Sequence, residues 1–247
     1  MRKFAIIFIL LFVAIPVFAN DLSDMDSDGV PDIDEINIYK TDPGNADTDG
    51  DGYSDWLELN NGFSPHSKEV ITLEKADTDS DGLSDRMELK FGTDLTNPDT
   101  DLDGHKDGME IEYGFDPNKG DGAKLDKRIE INTGPEQELS YFLGGVKLGS
   151  FKMSSGIPSM HTPRGYFMVD SKHPKAWSGT YGLWMPWWMS LQNGYFGIHE
   201  LPEWPNGTKE GEDHLGTPAS HGCVRLGAGD AEWLYNWTPM GTLVFIY

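Results

Sequence analysis

Cysteine is almost absent from this chain. Cys223 is the only one in 247 residues, so no intramolecular disulfide staples the fold. Basic residues are scarce too: 19 Lys and Arg stand against 41 Asp and Glu, a formal charge of −22, which excludes direct attraction to nucleic acid or an anionic lipid surface. Beyond residue 19 no stretch is apolar enough to cross a bilayer.

The one apolar run lies at the start, where Arg2 and Lys3 precede Ala5 to Val17 and Val17-Phe18-Ala19 offers small residues at the positions a signal peptidase reads. This pattern predicts a signal peptide over 1–19 and an exported protein, in the periplasm or the cell wall and beyond, with no transmembrane segment in the mature chain. An uncleaved anchor is the competing reading, but it needs roughly twenty apolar residues.

Charge divides the remainder. Residues 20–122 hold 29 of the 41 acids, whereas residues 123–247 are nearly balanced and carry seven of the eight Trp. Two modules follow, of which only the second has the aromatics for an ordinary core.

The acidic module repeats D-x-D-x-D-G-x-x-D-x-x-E four times, starting at Asp24, Asp47, Asp77 and Asp99. The pattern is that of the twelve-residue calcium loop: carboxylates at positions 1, 3 and 5, a turn Gly at 6, a main-chain carbonyl at 7, an acid or its water at 9, and a Glu at 12. The candidate ligands are Asp24, Asp26, Asp28, Val30, Asp32 and Glu35; Asp47, Asp49, Asp51, Tyr53, Asp55 and Glu58; Asp77, Asp79, Asp81, Leu83, Asp85 and Glu88; and Asp99, Asp101, Asp103, His105, Asp107 and Glu110. A disordered acidic linker is the bland alternative, and four Gly and four Glu in register argue against it. Only eleven residues, with Pro43-Gly44 among them, separate the first loop from the second, too few for paired EF-hand helices. Loop, short helical turn and "TDPxNAD" or "TDLTNPD" together resemble the thrombospondin type 3 calcium repeats. The resemblance implies Ca2+ as a structural cofactor and an irregular calcium-stabilised region with short helical turns. Clustered carboxylates that repel until ions fix the loops point to a stiff spacer or docking arm toward an envelope protein or wall polymer, with a passive stalk that has no partner as the alternative. The longer insert "HSKEVITLEKA" makes the repeat irregular, and "YGFDPNKGDG" reads as a degenerate tail.

Short alternating runs broken by Gly and Pro predict a mainly β domain over 123–247, a sandwich or barrel-like fold with "GDAEWLYNW" as its one helix. Within it Cys223 stands two residues from His221 and two from Arg225, a setting in which a base and a cation lower a thiol pKa and make a nucleophile. Burial as a small hydrophobe is the bland alternative. A zinc site from His199, His214, His221 and Cys223 is a third reading.

"SHGCVRL" at 220–226, preceded by "IHE" at 198–200, is similar to the signature of the L,D-transpeptidase (YkuD-type) catalytic domain, and further matches run in order from "SSG" at 154–156 through "HTPRGYF" at 161–167 to "GTLVFIY" at 241–247. The resemblance implies an L,D-transpeptidase-like β-sandwich and an acyl transfer on peptidoglycan stem peptides, which serve as donor and acceptor. Cys223 attacks, His221 is the base with the Gly222 carbonyl orienting its ring, Arg225 supports the loop, and His199 and Ser220 line the site. No cofactor is implied for that chemistry. An L,D-carboxypeptidase or amino-acid exchange enzyme would use the same nucleophile, and a calcium-dependent wall-binding protein is the reading from another class. Glu200 stands where the family usually has Gly, and residues 200–219 form a longer gap than usual.

Overall fold

The computed structural model describes residues 23–247, and the expected signal peptide lies outside the described residues. Two compact units emerge, one from residues up to Asp79 with Ser84–Leu89 and Asp94–Thr96, the other from Ser80–Leu83, Lys90–Thr93 and Asn97–Tyr247.

Each calcium-type loop is followed by a short helix that starts at its ninth position: α1 (Asp32–Asp34), continued by a π-helical turn (Glu35–Tyr39), α2 (Asp55–Asn61), α3 (Asp85–Phe91) and α4 (Asp107–Tyr113). Gly at the sixth position takes φ between 96° and 110° in all four loops, the left-handed region a side chain avoids. Gly62 and Gly114 end α2 and α4 in the left-handed conformation.

The loops work in pairs, and spacing reveals the rule. Asp28 of the first loop accepts the Trp56 N–H at the head of α2, at 2.9 Å. Asp81 of the third loop accepts the Gly108 N–H at the head of α4, at 2.6 Å. After each even-numbered loop the chain makes the same closing turn, a β-bridge between Phe63 and Thr72 in one case and between Phe115 and Lys124 in the other. The hydrogen bonds match as well: Leu73 N–H to Gly62 O at 2.9 Å, and Leu125 N–H to Gly114 O at 2.9 Å. The insert "HSKEVITLEKA" and the tail "YGFDPNKGDG" are therefore equivalent parts of a two-loop module, which explains starts spaced 23, 30 and 22 residues apart. Neither is an irregularity of a one-loop repeat.

The second module runs directly into β1, with Gly144 N–H bonded to Asp126 O at 3.0 Å. Eight strands follow: β1 (Lys127–Asn132), β2 (Glu138–Leu143), β3 (Val146–Ser154), β4 (Gly165–Ser178), β5 (Leu183–Leu191), β6 (Phe196–Glu200), β7 (Val224–Leu226) and β8 (Leu243–Ile246), with α5 (Asp230–Trp237) between the last two. Their order, β1-β2-β3-β7-β6-β5-β4-β8, closes on itself. One sheet joins β3, β2, β1, β8 and β4, the other β3, β7, β6, β5 and β4, so the mainly β sandwich is sealed at both edges by strands common to both faces. No open edge is left within this closed order.

Period-two alternation sends Ile129, Ile131, Leu139, Met153, Val244 and Ile246 inward from one sheet and Met189, Leu191, Ile198, Val224 and Leu226 from the other. Each is at most 1% exposed, and burying such a side chain stabilises by about 1.5–3 kcal/mol. Helix α5 adds Ala231 and Leu234 to the core. Its last carbonyls are served by lysines: Lys127 Nζ donates to Trp237 O at 2.9 Å, and Lys172 Nζ to Thr238 O at 2.6 Å and to Tyr235 O. Strand β5 is the element local pattern hides, because Pro186 sits inside it and three Trp mask the alternation.

Candidate active site and cation loops

Strands β6 and β7 are parallel and in register, with Ile198 opposite Val224 and His199 opposite Arg225. Ile198 and Val224 point into the core. Alternation then turns His199 and Arg225, with Cys223 just ahead of β7, to the other face. There they line one cleft of about 560 Å³, with Ser220, His221, Trp188 and Tyr181.

Cys223 is the free thiol of the site. Burial pushes it above its ordinary value, although a hydrogen bond from the Gly197 main chain and the charge of Arg225 pull the other way. This corrects the expectation of a thiolate. Arg225 is only 8% exposed, and its Nη1 donates to Glu210 Oε2 at 2.8 Å and Ala219 O at 3.3 Å; the charge it still presents to the thiol does not outweigh burial.

The two histidines differ in kind. His199 is 2% exposed and its Nδ1 lies 2.5 Å from the carbonyl of Glu200, which only accepts, so Nδ1 carries the proton and Nε2 keeps its lone pair. Burial, with the Arg225 charge adding to it against that hydrogen bond, lowers the imidazole to about 3. His221 is exposed, and its ring stacks on Tyr181 at 4.6 Å between centroids. The sequence alone could not separate them, since both precede the cysteine and only burial and tautomer differ.

Ser220 is a fastener. Its Oγ donates to Cys223 O at 2.5 Å and accepts the Gly222 N–H at 3.1 Å, which commits that N–H to the loop. Gly222 has φ 118°, and the main-chain oxygens of Met160 and His161 would lie 4.0 Å from an added Cβ. The long gap is tied down: Glu200 is buried and paired with Lys209, Glu203 with Lys175 at 2.7 Å, and Glu210 with Arg225. His214, the fourth candidate zinc ligand, faces Glu210 at 3.3 Å. Of the three tryptophans near the cleft, Trp188 lines it, Trp187 packs on Tyr235 at 5.3 Å and Trp184 on Trp177 at 4.9 Å.

In the acidic region, Asp24/Asp26/Asp28, Asp47/Asp49/Asp51, Asp77/Asp79/Asp81 and Asp99/Asp101/Asp103 each bring three carboxylate oxygens within 4.8 Å of one another. Acids so close repel unless something positive lies among them. Buried carboxylate oxygens without a hydrogen-bond donor recur at the third and twelfth positions: Asp26 Oδ2 and Glu35 Oε2, Asp49 Oδ2 and Glu58 Oε2, Asp101 Oδ2 and Glu110 Oε2. Burial, reinforced by the neighbouring aspartates, pushes Glu35 and Glu110 up to about 7 and Glu58 to about 8. Such oxygens fit a hard cation. At the ninth position Asp55, Asp85 and Asp107 spend both oxygens on the main chain and hydroxyl of Thr48, Thr78 and Thr100, at 2.5–2.9 Å, while Asp32 accepts the Met25 N–H at 2.7 Å. These four hold the loop's shape, a use the repeat pattern alone does not distinguish from coordination.

Comparison with known proteins gives two family matches. Residues 126–246 match the L,D-transpeptidase catalytic domain (YkuD), and residues 47–62 and 77–98 match the bacterial TSP3 repeat. YciB of Bacillus subtilis (strain 168), named as an L,D-transpeptidase, is 31% identical over 128 residues, which are 49% of this chain and 66% of that protein. Among solved structures, an L,D-transpeptidase of Stackebrandtia nassauensis is 26% identical with a TM-score of 0.42, covering 51% of this chain and 57% of its own. One from Mycobacterium tuberculosis H37Rv is 22% identical with a TM-score of 0.44, covering 51% and 59%. This chain thus spans just under two thirds of YciB and less of the two solved chains.

Proposed function

We propose that this chain, whose residues 126–246 match the L,D-transpeptidase (YkuD) catalytic domain, is a cysteine acyltransferase acting on peptidoglycan tetrapeptide stems. Cys223 is the nucleophile and His199 is the base, in place of His221. The observation that carries this is the Nδ1 contact of His199 with Glu200 O, which leaves Nε2 free to accept on the face where Cys223 lies.

With the thiol raised and the imidazole lowered, the resting pair is neutral. The proton therefore leaves Sγ only as the S–C bond forms to the carbonyl of the third stem residue. When the bond from that carbonyl to the nitrogen of the terminal D-Ala breaks, the imidazolium returns the proton to the leaving amine. A second stem's amine then attacks the thioester by the reverse route, giving a 3–3 cross-link and regenerating the thiol. Ser220 holds the loop, Gly222 provides its turn, and Arg225 anchors residues 200–219 over the cleft through Glu210. His221 and Tyr181 form the cleft wall.

Residues 20–122 are read as a calcium-stabilised spacer and 123–247 as the catalytic domain. The carboxylates at positions 1, 3, 5 and 12 and the carbonyl at 7 would hold each ion, while the position-9 aspartates hold the loop's shape; bound calcium would supply charge neutralisation and fix the loop. The substrate class places the protein outside the cytoplasm, and no helix among the described residues is long and apolar enough to cross a membrane.

Mass spectrometry of the protein mixed with disaccharide-tetrapeptide stems, beside Cys223→Ala, tests this reading. An acyl-tripeptide on Cys223 with accumulating dimers supports transpeptidation. Tripeptide alone indicates a carboxypeptidase. No adduct and no product with calcium present would leave a binding protein.

A further inference from the structure

Gln137 is a buried polar residue outside the cleft with an unusual backbone conformation. Its side chain is 1% exposed and it sits at φ 45°, a left-handed conformation unusual for a residue with a Cβ. Every polar group of its side chain is used. Nε2 donates to Thr133 O at 2.9 Å and Gly134 O at 3.0 Å, and Oε1 accepts the Ser155 N–H at 2.8 Å. Its own carbonyl accepts the Met153 N–H at 2.8 Å.

The chain of contacts continues from there. Ser155 O accepts the N–H groups of Ala219 and Ser220, at 2.9 and 3.0 Å. Ser220 Oγ in turn grips Cys223 O and Gly222 N. Ser155 and Ser220 are 2% and 0% exposed, so water does not substitute for these bonds. No apolar contact does this work, because the relay is made of peptide groups and two polar side chains.

We propose that Gln137 is a positioning residue for Cys223, setting the height of the catalytic loop through Ser155 and Ser220. This rests on the assignment of Cys223 as the nucleophile. An error of about 1 Å in placing a reacting group costs on the order of a hundredfold in rate.

The test uses the full-length protein with calcium and compares Gln137→Met, which fills the space without hydrogen bonds, with Gln137→Glu. When protonated, the glutamic acid reproduces the acceptor toward Ser155 and one donor toward Thr133 or Gly134; when ionised, it faces two carbonyls. Single-turnover acylation of Cys223 by stem peptides is measured from pH 5 to 8.5, per folded molecule by circular dichroism, alongside alkylation of Cys223 by iodoacetamide. Gln137→Met should acylate about 10- to 100-fold more slowly with KM little changed. Gln137→Glu should approach the wild-type rate at low pH and fall away as pH rises, a limb absent from the wild type. Wild-type rates in both folded variants, or a loss in Gln137→Met with no pH limb in Gln137→Glu, would overturn the proposal. If stems fail to acylate the wild type, the functional reading falls, and alkylation profiles that still separate the two variants in the same order would uphold the positioning role.

Discussion

His199 donates its Nδ1 proton to the carbonyl of Glu200, the residue that follows it, so a main-chain oxygen occupies the place a carboxylate takes in a Ser-His-Asp triad. A carbonyl orients the ring without adding a charge to a dry site. Replacing His199 should therefore remove the base, while replacing His221 should only change a wall. The expected loss in Cys223 acylation is about 10²- to 10⁴-fold for His199→Ala and less than tenfold for His221→Ala. Burst kinetics with stem peptides checks it, and the reverse ranking would restore His221 as the base.

The same burial makes His199 a pH-dependent element of stability. Its ordinary value of 6.5 falls to about 3 in the fold, so between those limits the unfolded chain takes up a proton that the folded chain refuses. Stability from this group is complete above pH 6.5 and declines as pH falls, by about 1.4 kcal/mol per unit within the window. Urea melts at pH 4.5, 5.5 and 6.5 should show a shallower slope for His199→Asn than for the wild type. Equal slopes would mean that the imidazole is protonated without unfolding.

Calcium should be a folding partner of the acidic region. Chelation is expected to reduce the helical circular dichroism signal of α2 and α4 and to lower the melting temperature, and calcium at a hundredfold excess over Kd should add about 2.7 kcal/mol per site. Asp49→Asn removes one of the buried oxygens that lacks a donor and should weaken only its own loop. Calorimetric titration before and after the substitution would show one site fewer or weaker. An unchanged isotherm would exclude the second loop as a calcium site.

Gly108 offers a test of loop pairing. A Gly in a helix costs up to about 1 kcal/mol relative to Ala, so Gly108→Ala would ordinarily stabilise α4. Here an added Cβ would meet Asp81 O at 2.9 Å and Leu83 N at 3.0 Å, both main-chain atoms. The expected outcome is a loss of about 1–3 kcal/mol in a calcium-loaded melt. A gain would show that the third and fourth loops are not packed together as described.

Much of this was legible in the sequence because the relevant chemistry is local. A calcium-type loop draws its candidate ligands from twelve residues, and the Cys223 motif spans seven, so residue type and spacing single out both as candidates. What stayed hidden depends on distant partners. His199 and His221 look alike until β6 is laid beside β7 and one imidazole is buried. The thiol of Cys223 looked activated until the fold buried it, which outweighs the charge of Arg225. Gln137 is unremarkable in a turn of Gly and Glu, and only the end of β3 shows what it holds. The modules too were read as single loops, because the hydrogen bonds from Trp56 to Asp28 and from Gly108 to Asp81 span 28 and 27 residues.

The closing turn shared by the two modules sets how such a chain can change its reach. Its quantum of length is a pair of loops, 52 or 53 residues between corresponding starts, and not one loop of about 22. Adding half a quantum would leave an aspartate at the fifth position with no helix head to meet it and a helix end with no turn to seal it. Natural or engineered variants of this protein should therefore lengthen and shorten in whole quanta, like a ruler marked only at its larger divisions.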